Sequence, residues 1–182
     1  MTTLGLFSIA ILVVVGGLVL SRLIPAVQAY FTYRGKRLIT CPETLTKEAV
    51  DVAAGKAAAK AFVGDSSICL EECSRWPERR NCGQECLQQI EADPDNCLLW
   101  NIVSHWYEGQ RCVYCRKPFG PLHHLDHVPA LLGPDHKTVE WDQVRPEQLP
   151  KLFTTHWPVC WGCHVTQTLR REHPELVVYR GR

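Results

Sequence analysis

Two Cys-x-x-Cys pairs, Cys112-Val-Tyr-Cys115 and Cys160-Trp-Gly-Cys163, constrain this chain more than any other feature. A tight Cys-x-x-Cys turn puts both sulfurs on one side of the backbone, and two such turns supply the four positions of a closed tetrahedral zinc site. Only a fold that brings the two turns to one point can use them this way. The stretch from Arg116 to Val159 exceeds the spacing of the shortest zinc ribbons, so the ion would clamp a long loop. Cys112, Cys115, Cys160 and Cys163 are therefore the candidate structural zinc ligands.

At the other end of the chain, residues 1 to 21 carry no charge, and Leu4 to Leu20 is almost entirely Leu, Ile, Val, Phe, Ala and Gly. With a rise of about 1.5 Å per residue, such a run matches the ~30 Å hydrocarbon core of a bilayer and predicts one transmembrane helix. A signal peptide wants a basic segment ahead of its apolar part, and Met1-Thr2-Thr3 has none; a buried core helix is the other alternative. Arg22, Arg34, Lys36 and Arg37 follow the span before any acidic residue does, which by the positive-inside tendency places the C-terminal part in the cytoplasm. Pro25 is expected to end or kink the helix near the headgroups. The expected organisation is an anchor over 1–24 and a basic and aromatic juxtamembrane segment over 25–36, with Tyr30, Phe31 and Tyr33 at the interface.

Residues 37–182 suffice for one compact domain or two small metal-stapled ones. The net charge of +1 gives no strongly basic field to advertise nucleic acid. Ten cysteines in 182 residues favour metal ligation or free thiols in a reducing compartment, and disulfides in an oxidising one. The expected fold class is α+β: a Cys-rich, mainly helical region over 37–109, then a treble-clef or zinc-ribbon-like module over 110–182.

Arg37 to Cys41 reads as a short strand stopped by Pro42, and Ala-rich Thr46 to Phe62 as a helix interrupted by Gly55. Val63 to Ser67 is a turn. Cys69-Leu-Glu-Glu-Cys73 and Cys82-Gly-Gln-Glu-Cys86 would each present two sulfurs on one face if helical. Cys82 to Ala92 and Cys97 to Tyr107 read as helices, the second with an apolar stripe of Leu98, Leu99, Ile102, Val103 and Trp106 and with Gly109 at its C-terminal end. Further on, Thr138 to Trp141 is a candidate strand, Cys163 to Glu172 a candidate helix ended by Pro174, and Glu175 to Tyr179 a final candidate strand.

The order Cys112-x-x-Cys115, Leu125-Asp126-His127-Val128-Pro129, Gly133, Cys160-x-x-Cys163-His164 resembles the HNH nuclease family in its zinc-containing, treble-clef form, over residues 112–168. The resemblance implies a structural zinc pinning a two-stranded hairpin against a helix. It further implies Asp126 and His164 as ligands of a second, catalytic divalent ion and His127 as general base. An imidazole with a pKa near ~6.5 can take a proton from water at neutral pH, while a hard ion stabilises the charge developing on phosphate. The sequence departs from the family in three ways: no Asn lies between His127 and Cys160, where His156 is the nearest polar candidate; the middle loop is long; and Gln167 stands where a Lys is usual. His123, His124 and His136 read as a solvated loop, and Asp126-His127 has as its structural alternative a hydrogen bond that stiffens that loop.

Other chemistries use the same residues. Cys160-Trp-Gly-Cys163-His164 is formally the Cys-x-x-Cys-His attachment site of haem c, although Met1 is the only methionine and the frequent sixth ligand is missing. Cys41, Cys73, Cys82 and Cys86 are candidates for a second metal site, with Cys69 and Cys97 ranked below them. The alternatives there are buried reduced thiols, disulfides across a helical hairpin, or an iron–sulfur cluster. Arg75, Arg79, Arg80, Arg170 and Arg171 could touch phosphate and Trp76, Trp157 and Trp161 could stack on bases, but such arginines more often form a solvated face and such tryptophans fill a core. The functional expectation is a single-pass membrane protein whose cytoplasmic zinc-binding part serves a protein partner as an interaction or scaffold module. An HNH-type nuclease is the first alternative, and haem-based electron transfer the second.

Overall fold

The computed structural model describes residues 3–79, 81–123 and 126–176. The chain divides into two compact units, Met1–Leu98 and Leu99–Arg182, each of which mixes helix and sheet.

The first unit opens with helix α1, Thr3–Tyr33. From Ile9 to Tyr33 it is long and apolar enough to cross a membrane, and almost none of that stretch is covered by protein. Of the two expected effects of Pro25, ending the helix does not occur: Pro25 lies inside it. Proline removes a single ladder hydrogen bond, and the turns beyond it are held from outside: Ala26 is buried, Tyr33 packs on the unit's core, and helix α2, Ala54–Val63, lies against α1. Arg37 then fixes the exit from α1. Its side chain is only 1% exposed, and its guanidinium donates to the carbonyls of Thr32 and Pro94. One of these is a helix-terminal carbonyl that has no partner within the helix.

Three short strands follow, β1 Arg37–Thr40, β2 Lys47–Val52 and β3 Leu70–Cys73, in an antiparallel sheet of order β1-β2-β3. Register runs from Arg37↔Val50 to Thr40↔Lys47 on one side of β2, and the pairing with β3 shifts between Asp51 and Val52. The expected helix over Thr46–Phe62 is thus half wrong. Its first part is β2, which buries Ala49, Val50 and Val52 between two partner strands, and only Ala54–Val63 is helical. Helix propensity is a weak prior that pairing on both edges overrides. Leu70–Cys73 is likewise strand rather than helix, with Cys69 just ahead of it, and helix α3 covers Leu87–Ala92, with Cys86 just ahead of it. The core of this unit gathers Ile39, Val50, Val52, Ile68, Leu70 and Ile90.

The second unit begins with helix α4, Leu99–Tyr107, followed by Gly109 at φ 72°, a left-handed position that glycine adopts without strain. Strand β4, Ala130–Leu132, lies between β5, Thr138–Val139, and β6, Trp157–Val159, both antiparallel to it. Helix α5, Leu149–Thr155, precedes β6, and α6, Trp161–Glu172, follows it. Tyr107, fully buried, donates its hydroxyl to the Ala130 carbonyl (2.9 Å) and accepts from Trp141 Nε1 (3.2 Å), tying α4 to the sheet. Trp106 stacks on Phe153 with ring centroids 5.1 Å apart, and Phe119 and Trp141 complete this aromatic cluster. Beyond α6, Pro174–Leu176 forms a single 3-10 turn rather than the start of the expected strand, whose remaining residues lie outside the described ones.

Candidate metal centre

The two knuckles meet because of β6. It is an edge strand, which tolerates Pro158, and its free side receives the first knuckle: the Val113 N–H donates to the Pro158 carbonyl (3.0 Å) and the Cys160 N–H to Cys112 Sγ (3.3 Å). The first knuckle is itself a closed turn. Cys112 N–H donates to Lys117 O (3.0 Å) and Arg116 N–H to Cys112 O (2.9 Å), with Arg116 left-handed at φ 61°. Cys160 sits in extended conformation at the head of α6, and Cys163 lies on its first turn, where the positive end of the helix dipole favours thiolate.

The four ligand atoms of Cys112, Cys115, Cys160 and Cys163 all lie within 4.8 Å of one another, and the sulfurs of Cys115 and Cys160 are 3.7 Å apart. A tetrahedron with Zn–S bonds of 2.3 Å has edges of about 3.8 Å. The donor set and its spacing therefore fit a metal ion such as zinc. Electrostatics point the same way. Burial pushes the Cys112 thiol up, but the N–H groups of Cys115, Cys160 and Tyr114 outweigh it and bring it down to about 7. Cys160 and Cys163 are raised, first by burial and then by the neighbouring sulfurs. Four thiolates cannot share this space without a cation to offset their repulsion.

Around the sulfurs, His164 is 5% exposed and its Nε2 lies 2.9 Å from Glu140 Oε1, while its buried Nδ1 has no hydrogen-bond partner among the described residues. The exposed ring of His127 stacks on Trp161, nearly parallel with ring centroids 4.9 Å apart, and the Trp161 and His164 centroids are 5.2 Å apart. Asp126 closes a turn with His123: its N–H donates to the His123 carbonyl (3.0 Å) and its Oδ2 accepts from the His123 N–H (3.3 Å). His136 is exposed and left-handed, His156 contacts the Thr155 hydroxyl, and His124 lies outside the described residues. Glu140 and Tyr107 had no sequence signal, since each acts through a partner distant in the chain.

Upstream, Cys41, Cys82 and Cys86 line one pocket of about 270 Å³ with Glu43, Arg79 and Gln84, and Cys73 lines the adjacent one. Among the described residues, only the downstream four sulfurs gather within 4.8 Å. Cys97 Sγ lies 3.7 Å from the Gln89 carbonyl, and Cys69 is half-buried ahead of β3. Arg75 and Arg79 pair with Glu43, Arg171 with Glu172, and Trp76 packs on the upstream core. Arg80 lies outside the described residues.

Comparison with family models, with curated proteins and with solved structures finds no match to this chain.

Proposed function

We propose that this protein is a membrane-anchored zinc module that offers its second unit, on the cytoplasmic side, as a binding surface for a protein partner. The observation that carries the reading is the convergence of four sulfurs from two separate knuckles at the spacing of a closed tetrahedral site. A site with four protein ligands has no open position for substrate, so zinc here acts on structure. Arg22, Arg34 and Lys36 remain after Arg37 is set aside as a buried structural residue, and they support the cytoplasmic orientation.

A nuclease is the second reading, favoured by one arrangement: Asp126-His127 leads into β4, β4 pairs with β6, and Trp161 brings the His127 and His164 rings to one indole. Against it, the Asp126 carboxylate is turned to His123 and His164 Nε2 to Glu140. The haem alternative needs Cys160 and Cys163 free for thioether bonds, whereas both sit with Cys112 and Cys115, and it needs an accessible imidazole where His164 is buried.

Elemental analysis and a visible spectrum of the detergent-purified chain test the proposal. Colourless protein with zinc that falls by one equivalent per chain in Cys160→Ser is expected. A Soret band would establish haem instead. Plasmid nicking that requires magnesium or manganese and disappears in His127→Ala would replace the scaffold by the nuclease, and a reporter that places the C-terminus outside the cell would reject the orientation.

A further inference from the structure

The turn between β1 and β2, Cys41-Pro-Glu-Thr-Leu-Thr46, repeats the backbone of the first zinc knuckle. In Cys112–Lys117, the first N–H donates to the sixth residue's carbonyl (3.0 Å), the fifth N–H returns to the first carbonyl (2.9 Å), and the fifth residue, Arg116, is left-handed. In Cys41–Thr46, the Cys41 N–H donates to Thr46 O (2.8 Å), the Leu45 N–H to Cys41 O (2.8 Å), and Leu45 is left-handed at φ 58°. In both, the first sulfur accepts a hydrogen bond from outside the turn: Cys112 Sγ from the Cys160 N–H (3.3 Å) and Cys41 Sγ from Arg75 Nη1 (3.1 Å). A leucine in the left-handed region is strained without a compensating turn. The difference lies in the fourth residue, Thr44 in place of a second cysteine.

Three more sulfurs stand near this turn. Cys82 and Cys86 share its pocket, and Cys73 ends β3 two residues before Arg75, whose guanidinium reaches Cys41. The Gln84 N–H, two residues on, donates to Cys82 Sγ (3.4 Å). Above Cys41, Arg75 Nη1 donates to the sulfur at 3.1 Å and to Glu43 Oε2 at 2.9 Å.

From this geometry we infer that Cys41, Cys73, Cys82 and Cys86 form a second tetrahedral thiolate site for a zinc-class ion. Four thiols release four protons to solvent as they bind one divalent ion, leaving a net charge of −2 that Arg75, already placed on one ligand, partly offsets. Cys82 to Gln84 lie outside regular structure, so the ion can draw them toward Cys41 and Cys73 without disrupting the sheet. Cys69 and Cys97 take no part. The downstream site does not depend on this one, so the two assignments fail separately.

Zinc stoichiometry and thiol labelling on the detergent-purified full chain test it. Two zinc ions per chain are expected, falling to one in Cys41→Ser, in Cys82→Ser and, through loss of the other site, in Cys112→Ser. In the unmutated protein, tandem mass spectrometry after native alkylation should show Cys41 and Cys82 protected until a chelator is added, with at least a tenfold change in labelling rate. One zinc per chain with Cys41 labelled equally fast before and after chelation would overturn the site. So would a disulfide among the four cysteines, or iron with labile sulfide in place of the second zinc.

Discussion

Both units carry cysteines from distant parts of the chain, but they use them against different backgrounds. The upstream unit buries Ile39, Val50, Val52, Ile68, Leu70 and Ile90 in one apolar cluster, across which a three-stranded sheet and two helices already close. Downstream, among the described residues, the cluster around the knuckles joins Cys112, Leu132 and Val159 to Val113, Phe119, Cys160 and Cys163. Three of those seven are ligands themselves. A metal would mean different things in the two places. Upstream, an ion would fasten a loop to an apolar core; downstream, where the ligands are themselves part of the buried cluster, an ion would take part in the folding reaction.

If the downstream site holds zinc, as proposed, its removal should therefore have the largest effect of any perturbation. Structural zinc supplies on the order of 10–16 kcal/mol of apparent binding energy in small domains, more than the stability of most domains of this size. Cys112→Ser should leave residues 99–176 open to limited proteolysis while residues 37–98 remain protected. Equal protection of both segments would show that the aromatic cluster around Tyr107 folds the second unit by itself. The reverse experiment is Ile90→Ala. Ile90 is fully buried in the upstream core, and the truncation should cost about 2–5 kcal/mol. Thermal unfolding should show one lowered transition with the downstream zinc retained. Loss of that zinc would mean that the two units do not unfold separately.

How much of this was legible before the structure differs in the same way. The charge-free run announced α1, and the two Cys-x-x-Cys pairs announced the sulfur cluster, because both signals are local and chemically narrow. β1, α4 and α6 also follow from their flanking Pro, Gly and apolar pattern. β2 was not legible: Lys47-Glu-Ala-Val-Asp-Val52 joins an Ala-rich stretch that reads as helix, and only the strands on either side make it a strand. That α1 continues past Pro25 was not legible either, because it depends on whether the later turns are held by packing. Glu140, the partner of His164, and Tyr107, which ties α4 to β4, depend on contacts far along the chain. The knuckle-like turn at Cys41 escaped because the sequence signal is a pair of cysteines, whereas the structural signal is a hydrogen-bond pattern that Thr44 satisfies equally well.

Tyr107→Phe separates aromatic packing from hydrogen bonding in the second unit. The ring would stay against Phe119 and Trp141, but the buried Ala130 carbonyl would lose its donor. A cost of about 1–3 kcal/mol is expected, read as a lower midpoint for the downstream transition with zinc content unchanged. A midpoint equal to the unmutated protein's would mean that water replaces the hydroxyl, and that the sheet is less dry than its burial indicates.

The smallest effect tests the packing of α2 against α1. Gly64 ends α2 in the left-handed region at φ 90°, donating its N–H to the carbonyl of Ala61, and a Cβ there would stand 3.4 Å from Arg22 Nη1. Ala in this conformation costs about 1–2 kcal/mol, and the long Arg22 side chain can yield, so the loss should be strain of the backbone alone. Gly64→Asn, whose side chain tolerates left-handed geometry, should recover most of it. Both variants should leave the downstream transition where it was. A larger loss in Gly64→Ala, not recovered by Asn, would mean that the Arg22 contact rather than the turn holds α2 against α1, and that α1 is a working part of the upstream core.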